Sequence, residues 1–184
     1  MNTFTSSFSA IAVSTTKQPL DFDLAIASQA DMDNLVKSFQ DNFDRQSTEF
    51  GNALRALEVA SHDALYHNLA VALAIALVMM EQDNLQFTIQ VLHAHGLSPA
   101  RKGANQHRPI VDLLFGKWVD RKVKGKKDET ETVFVRNRSA EKYAKVLRYL
   151  ASRGISPANA VAYILSNGKM DGILQLDTKT HAKS

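Results

Sequence analysis

The segment from Ser139 to Arg153 carries the side chains best suited to binding a polyanion. At 100° per residue it predicts a helix with one apolar side and one cationic side that includes an aromatic residue. Lys and Arg neutralise phosphates, and an aromatic ring can stack on a base. The alternative is that the cationic side is an ordinary solvent-exposed face with no ligand, since charged residues usually lie on the outer face of a helix. The predicted contacts here are Arg138, Lys142, Lys145, Arg148, Tyr149 and Arg153.

More cations lie just before this segment. Residues 122–132 are highly charged and lack an apolar period, which predicts a loop. Concentrated positive charge attracts nucleic acid without specifying a sequence. The predicted interface therefore also includes Arg121, Lys122, Lys124, Lys126, Lys127 and Arg136.

Charge is divided unevenly between the two halves of the chain. Residues 1–100 contain four basic and eleven acidic side chains, a net charge of −7. Residues 101–184 contain eighteen basic and eight acidic side chains, a net charge of +10. This asymmetry indicates a nucleic-acid partner. An alternative is a protein-binding adaptor or inhibitor whose acidic half mimics a nucleic acid, and a third is a purely structural helical oligomer.

Motifs for catalysis or metal binding are lacking in the sequence. The 184 residues include no cysteine, which excludes disulfides, thiolate zinc sites and a thiol nucleophile. There is no phosphate-binding glycine loop, nucleophile elbow or His-Glu-x-x-His motif. His93 and His95 differ by two positions and so do not share a helical face. We expect a non-enzymatic protein without a cofactor or bound metal.

The first predicted helix begins at Ser28. Ser28 and Asp31 have capping-box spacing, with Asp in place of the usual Glu. Apolar residues then recur every three or four positions, apart from Gln46, in a heptad-like stripe. The phenylalanines in this stripe favour a helical bundle over a long dimeric coiled coil, and we expect the region to support self-association. The members of this stripe are Met32, Val36, Phe39, Phe43, Phe50, Ala53, Leu57, Ala60 and Ala64.

A second helix, apolar on every side, is predicted over 65–80. Its uncharged run covers only Leu69–Met80, short of the roughly 20 residues that a membrane span needs, so we expect a buried helix. Another helix runs from about Asn84 to Gly96. The similar passages at 96–100 and 154–158 each predict a glycine helix stop, followed by a Ser N-cap and a Pro that open the next helix.

The second half predicts three short helices. One occupies 107–122, with Trp118 and Val119 on its apolar side, and is followed by an extended segment at 132–135. The helix at 139–153 is expected to be exposed, and the helix at 157–166 to pack inside because it lacks cations.

These patterns predict an all-α helical bundle with a long N-terminal amphipathic helix and a smaller basic C-terminal helical region. The N-terminus lacks the charged start and apolar run of a secretory signal, which favours the cytoplasm. The predicted divisions are a flexible arm at 1–28, an acidic oligomerisation region at 29–100, a basic region at 101–176 and a polar tail at 177–184. Expected partners are nucleic acid, a second copy of the chain and, in the alternative, another protein, but no membrane.

Overall fold

The computed structural model describes residues 24, 26–53, 58–123 and 129–181, with side chains for 24, 26–46, 62–123 and 129–180. The described part is mostly helical, as predicted, and adds a small two-stranded sheet. Its elements are α1 (Gln29–Ala53), α2 (Glu58–Met79), a 3-10 turn (Gln82–Asn84), α3 (Leu85–Ala94), α4 (His107–Leu114), β1 (Lys117–Lys122), β2 (Thr130–Val135), α5 (Ala140–Ser152), α6 (Pro157–Ser166) and α7 (Lys169–His181). Of the predicted arm at 1–28, residues 1–23 and 25 lie outside the described residues.

Helix α1 begins with the predicted capping box. The Asp31 backbone N–H donates to Ser28 Oγ at 3.3 Å, and the Ser28 hydroxyl and the Ala27 N–H both donate to the Asp31 carboxylate. The Ser28 and Ala27 hydrogen bonds to the carboxylate lower the pKa of Asp31. The buried face of α1 carries Met32, Leu35, Val36 and Phe39. Phe43 is partly buried against the same core, whereas the side chains of Phe50, Ala53, Leu57 and Ala60 lie outside those described. Ala60 and Ala64 belong to α2, so the prediction that the stripe continues along the first helix to Ala64 is wrong.

Helix α2 is the central helix of the bundle, as its uniform apolarity predicts. Seven of its apolar side chains from Leu69 to Met79 are buried, and it packs against α1, α3, α4, α5 and α6. The segment His62–Met79 is long and apolar enough to cross a membrane by length and composition, and half of it is buried inside the protein. The core helix of a folded bundle meets the same criteria because it is apolar on all sides.

Glycines end α3 and α5 in the same way. Gly96 and Gly154 have φ of +65° and +64°. The N–H of the following residue donates to the carbonyl five positions earlier, Leu97 to Leu92 and Ile155 to Leu150, which is the Schellman arrangement. Pro157 then opens α6 as predicted. The prediction of a helix starting at Pro99 is wrong, since α4 begins only at His107.

The prediction of one helix over 107–122 is also wrong in its second half. Helix α4 ends at Leu114, and residues 117–122 pair antiparallel with 130–135, so that Trp118 faces Phe134 and Arg121 faces Glu131. The β-branched run at the start of β2 needs a partner strand for its backbone groups, and β1 supplies it. Gly116 makes the turn possible. A Cβ there would lie 2.3 Å from the Phe134 ring.

Helix α5 buries its predicted apolar side and also Tyr149, so it is less exposed than predicted, and α6 is less buried than predicted. Seven residues of α5 are buried against α2, α4 and α7, whereas α6 buries only Ala160 and Ile164. Helix α7 continues to His181, so part of the predicted tail is helical, and Asp177 on it is buried.

Candidate nucleic-acid interface

The cations predicted on α5 fall into distinct environments along the helix. Arg138 and Lys142, at its N-terminal end, are exposed, and no carboxylate of the described residues lies within ion-pair distance of either. Lys145 is half-buried and pairs with Glu141, its Nζ 3.0 Å from the carboxylate. The hydrogen bond from Lys145, reinforced by its positive charge, lowers the pKa of Glu141. The N-terminal end of α5 therefore presents free positive charge.

Tyr149 does not lie on an exposed cationic face, and that part of the prediction is wrong. Its side chain is only 2% exposed. On a helical wheel it shares a direction with Arg138 and Lys142, but it lies two turns further along, beside Tyr163 of α6. A hydrogen bond with Tyr149 raises the pKa of Tyr163, and the Arg153 guanidinium lies 5.3 Å from the Tyr149 ring centre. This ring is covered and cannot stack on a base.

Arg148 is likewise not a free surface cation. Its Nε and Nη2 atoms donate to the two oxygens of Asp177 at 3.0 and 2.5 Å, and the Asp177 side chain is 1% exposed. This bidentate pair joins α5 to α7. Helix α7 covers this side of α5, which the sequence alone predicted to be open.

His107 lies near the Arg148 guanidinium at the start of α4. Its side chain is 6% exposed, and its Nε2 atom is buried without a hydrogen-bond partner. Burial, together with the positive charge of Arg148, lowers the pKa of His107 to about 4. The imidazole is therefore neutral at physiological pH and adds no positive charge to the surface.

A second group of ion pairs links α4, the end of β2 and the start of α5. The buried Asp112 carboxylate lies 2.9 Å from Arg108 Nε and 3.7 Å from Arg136 Nη1. Arg108 also lies 3.8 Å from Glu141. Arg136 was predicted to contact nucleic acid, and its positive charge is partly compensated here. Its side chain remains 55% exposed.

The antiparallel pair of β1 and β2, which we call the hairpin, carries two more cations of the predicted interface. Arg121 and Lys122 are exposed at the end of β1, and no described carboxylate forms an ion pair with either. The predicted contacts Lys124, Lys126 and Lys127 lie outside the described residues. Val135 pairs with Lys117 at the other end of the hairpin. Since Arg138 follows Val135 by three residues, its Cα is at most about 11 Å away. The base of the hairpin and the N-terminal end of α5 are neighbours.

No protein-family model matches the chain, and no curated protein or solved structure matches it either.

One residue outside the predicted interface lies at the base of the hairpin. Trp118 is 48% exposed, more than any other large apolar side chain described. Its ring centre is 5.4 Å from that of Phe134 and 5.4 Å from that of His95. The helix predicted over 107–122 placed Trp118 on its apolar side, where it would be buried. The β-branched run at 130–135 was the available signal, because a strand needs a partner.

Proposed function

We propose that the protein binds nucleic acid through a cationic surface comprising Arg121 and Lys122 on the hairpin, Arg138 just before α5 and Lys142 on its first turns. We call this the hairpin–α5 surface. The observation that carries the proposal is that these four cations are exposed and lack a carboxylate partner among the described residues. The net charge of +10 over residues 101–184 supports it. Unpaired cations release condensed counterions when they meet phosphates.

The proposal revises the surface expected from the sequence. Arg148, Tyr149 and Lys145 are engaged in contacts within the protein. Arg153 is exposed and free of carboxylates, but it lies at the far end of α5 over Tyr149. The proposed binding surface therefore includes the hairpin in place of the C-terminal half of α5. The strands of the hairpin are about 17 Å long from Lys117 to Lys122. Contacts of this kind are to the phosphate backbone, and they set affinity more than sequence preference.

A salt titration of binding tests the proposal. Fluorescence anisotropy with labelled single-stranded and duplex oligonucleotides, from about 50 mM salt upward, gives the slope of log K against log salt concentration. The double variant Arg138→Gln/Lys142→Gln should weaken binding and reduce the magnitude of the slope by about 1.4 for a single strand or about 1.8 for a duplex.

The control is Arg45→Gln/Lys179→Gln, which removes two exposed positive charges from α1 and α7 that form no ion pair with a described carboxylate. Because it changes the net charge equally but lies off the hairpin–α5 surface, we expect it to leave the slope nearly unchanged. An equal loss in both variants would mean that binding follows net charge alone. No binding to any oligonucleotide near 50 mM salt would overturn the proposal and favour a protein partner for the acidic half.

A further inference from the structure

We infer that Trp118 is a base-stacking residue and that the hairpin–α5 surface binds single-stranded nucleic acid. The inference rests on the proposed function. It adds a second kind of contact, to the faces of unpaired bases, beside the contacts to phosphates.

Trp118 is exposed but held in place. Three aromatic rings contact one another: Trp118 and His95 at 5.4 Å, Trp118 and Phe134 at 5.4 Å, and His95 and Phe134 at 4.9 Å between centres. His95 is itself anchored by a 2.9 Å contact between its Nδ1 atom and the Val91 carbonyl. An indole fixed by its neighbours loses little rotamer entropy when a base packs on it.

Gly116 contributes to this geometry. The Phe134 ring lies where a side chain at position 116 would be, 2.3 Å from the Cβ that such a residue would carry. Phe134 therefore packs closely on the backbone before β1 and supports Trp118 from across the sheet. The indole keeps nearly half of its surface open to solvent.

The surroundings of Trp118 are suited to a polynucleotide strand. Antiparallel pairing places Trp118, Asp120 and Lys122 on one face of the hairpin. The Asp120 carboxylate is negative and would repel a phosphate. It accepts a 2.6 Å hydrogen bond from the Thr132 hydroxyl. Lys122 lies beyond Asp120 on the same face, whereas Lys117 and Arg121 point to the opposite face. A base stacked on Trp118 thus has a cation about 13 Å further along the strand.

Stacking distinguishes single strands from duplexes. In a duplex the base faces are covered by neighbouring base pairs, whereas an unpaired base presents its face to an aromatic ring. The contact tolerates any base, because every base has a π-face. We therefore expect single strands of DNA or RNA to bind more tightly than a duplex of the same length.

Trp118 is the single tryptophan of the chain, so its fluorescence reports on it alone. The experiment titrates the full-length protein with a thymidine oligonucleotide of about 12 nucleotides, a length within the usual range for single-strand sites. The control ligand is an abasic oligonucleotide with the same number of phosphates. We expect the thymidine strand to quench the fluorescence and the abasic strand to bind with little quenching.

Variants test the contribution to affinity. Trp118→Leu retains apolar contact with Phe134 and His95 but removes the indole, and it should weaken thymidine-strand binding by about tenfold. Its affinity for the abasic strand should be unchanged. Leu165→Ala, which truncates a side chain that is 45% exposed on α6, is the matched control and should alter neither affinity. Circular dichroism establishes that each variant folds.

The outcomes separate the two proposals. Equal quenching by both strands, or unchanged thymidine-strand affinity in Trp118→Leu, overturns the stacking inference while binding through phosphates stands. The wild-type quenching comparison holds even if a variant fails to fold. Absence of binding to both strands near 50 mM salt overturns the stacking inference and the proposed function together.

Discussion

Arg148 and Asp177 show how a surface residue becomes a structural one. Asp177 is 1% exposed, and both of its oxygens accept hydrogen bonds from one guanidinium. A buried ion pair of this kind need not be more stable than an apolar pair, because both charges lose solvation. Removing only one partner is costly, since the remaining charge has lost its main compensation in a buried position.

We therefore predict that Arg148→Met lowers the free energy of unfolding by about 3 kcal/mol, with Arg148 itself partly exposed and the effect at the low end for a buried pair. The double variant Arg148→Met/Asp177→Leu should recover a large part of that loss, because it removes both charges. Urea denaturation of wild type, Arg148→Met, Asp177→Leu and the double variant measures the coupling energy between the two side chains.

Lys142→Gln is the control, an exposed substitution on the same helix that should change stability by no more than about 0.5 kcal/mol. If Arg148→Met were as stable as this control, the pair would contribute nothing to the packing of α7 on α5.

Local contacts at single residues could be predicted from the sequence, whereas distant ones could not. The Ser28–Asp31 cap was predicted because both partners lie within one turn of the same helix. The surroundings of Tyr149 include Tyr163, 14 positions away on another helix, and the pairing of Arg148 depends on a residue 29 positions away. A helical wheel assigns a direction around one helix, but it contains no information about what covers that direction.

At the scale of elements, glycine positions were the most reliable signals. The ends of α3 at Gly96 and of α5 at Gly154 were predicted correctly, because positive φ is available mainly to glycine. The hairpin was missed because residues 117–122 continue the apolar helical spacing of α4. A strand acquires its stability from pairing, and the pairing partner of 117–122 follows only after a highly charged stretch of sequence.

Gly172 is an internal glycine of α7 whose substitution should have an unusual sign. In most helices Gly→Ala is stabilising by up to about 1 kcal/mol. Here an added Cβ would lie 1.8 Å from the Asn167 carbonyl oxygen, which belongs to the tight turn between α6 and α7. We predict that Gly172→Ala is destabilising by about 1–3 kcal/mol, since backbone must shift to relieve the clash.

Thermal or urea unfolding of Gly172→Ala beside Gln175→Ala provides the measurement. Gln175 is exposed on the same helix, so its substitution reports the helix propensity of alanine without a clash. A stabilised Gly172→Ala variant would show that the α6–α7 turn relaxes freely, which is contrary to the close approach seen.

For the whole molecule, the net charge of residues 101–184 led to the hypothesis of nucleic-acid binding, but it overstated how many cations are unpaired at the surface. Acids of the second half neutralise part of it: Asp112 lies against Arg108 and Arg136, Glu141 against Lys145, and Asp177 against Arg148. The central position of α2 was predictable, because a helix apolar on every side must be surrounded. Which cations remain free depends on tertiary contacts.

The same buried charges make the stability of the whole bundle depend on pH through His107. Its pKa in the folded protein is about 4, against about 6.5 in an unfolded chain, because burial and the Arg148 charge disfavour the imidazolium. The unfolded state therefore takes up a proton first as pH falls. The contribution of the neutral imidazole is fully present above about pH 6.5, declines between about 6.5 and 4, and is lost below about 4.

Over that window we predict that wild-type protein loses about 3 kcal/mol of unfolding free energy relative to His107→Gln, which has no titrating group at this position. Urea denaturation of both proteins at several pH values between about 4 and 7 measures the difference. Subtracting the variant removes the contributions of the carboxylates, which both proteins share. A constant difference across the window would mean that His107 is solvated or paired in solution, and the packing of α4 beside Arg148 would then be looser than the structure has it.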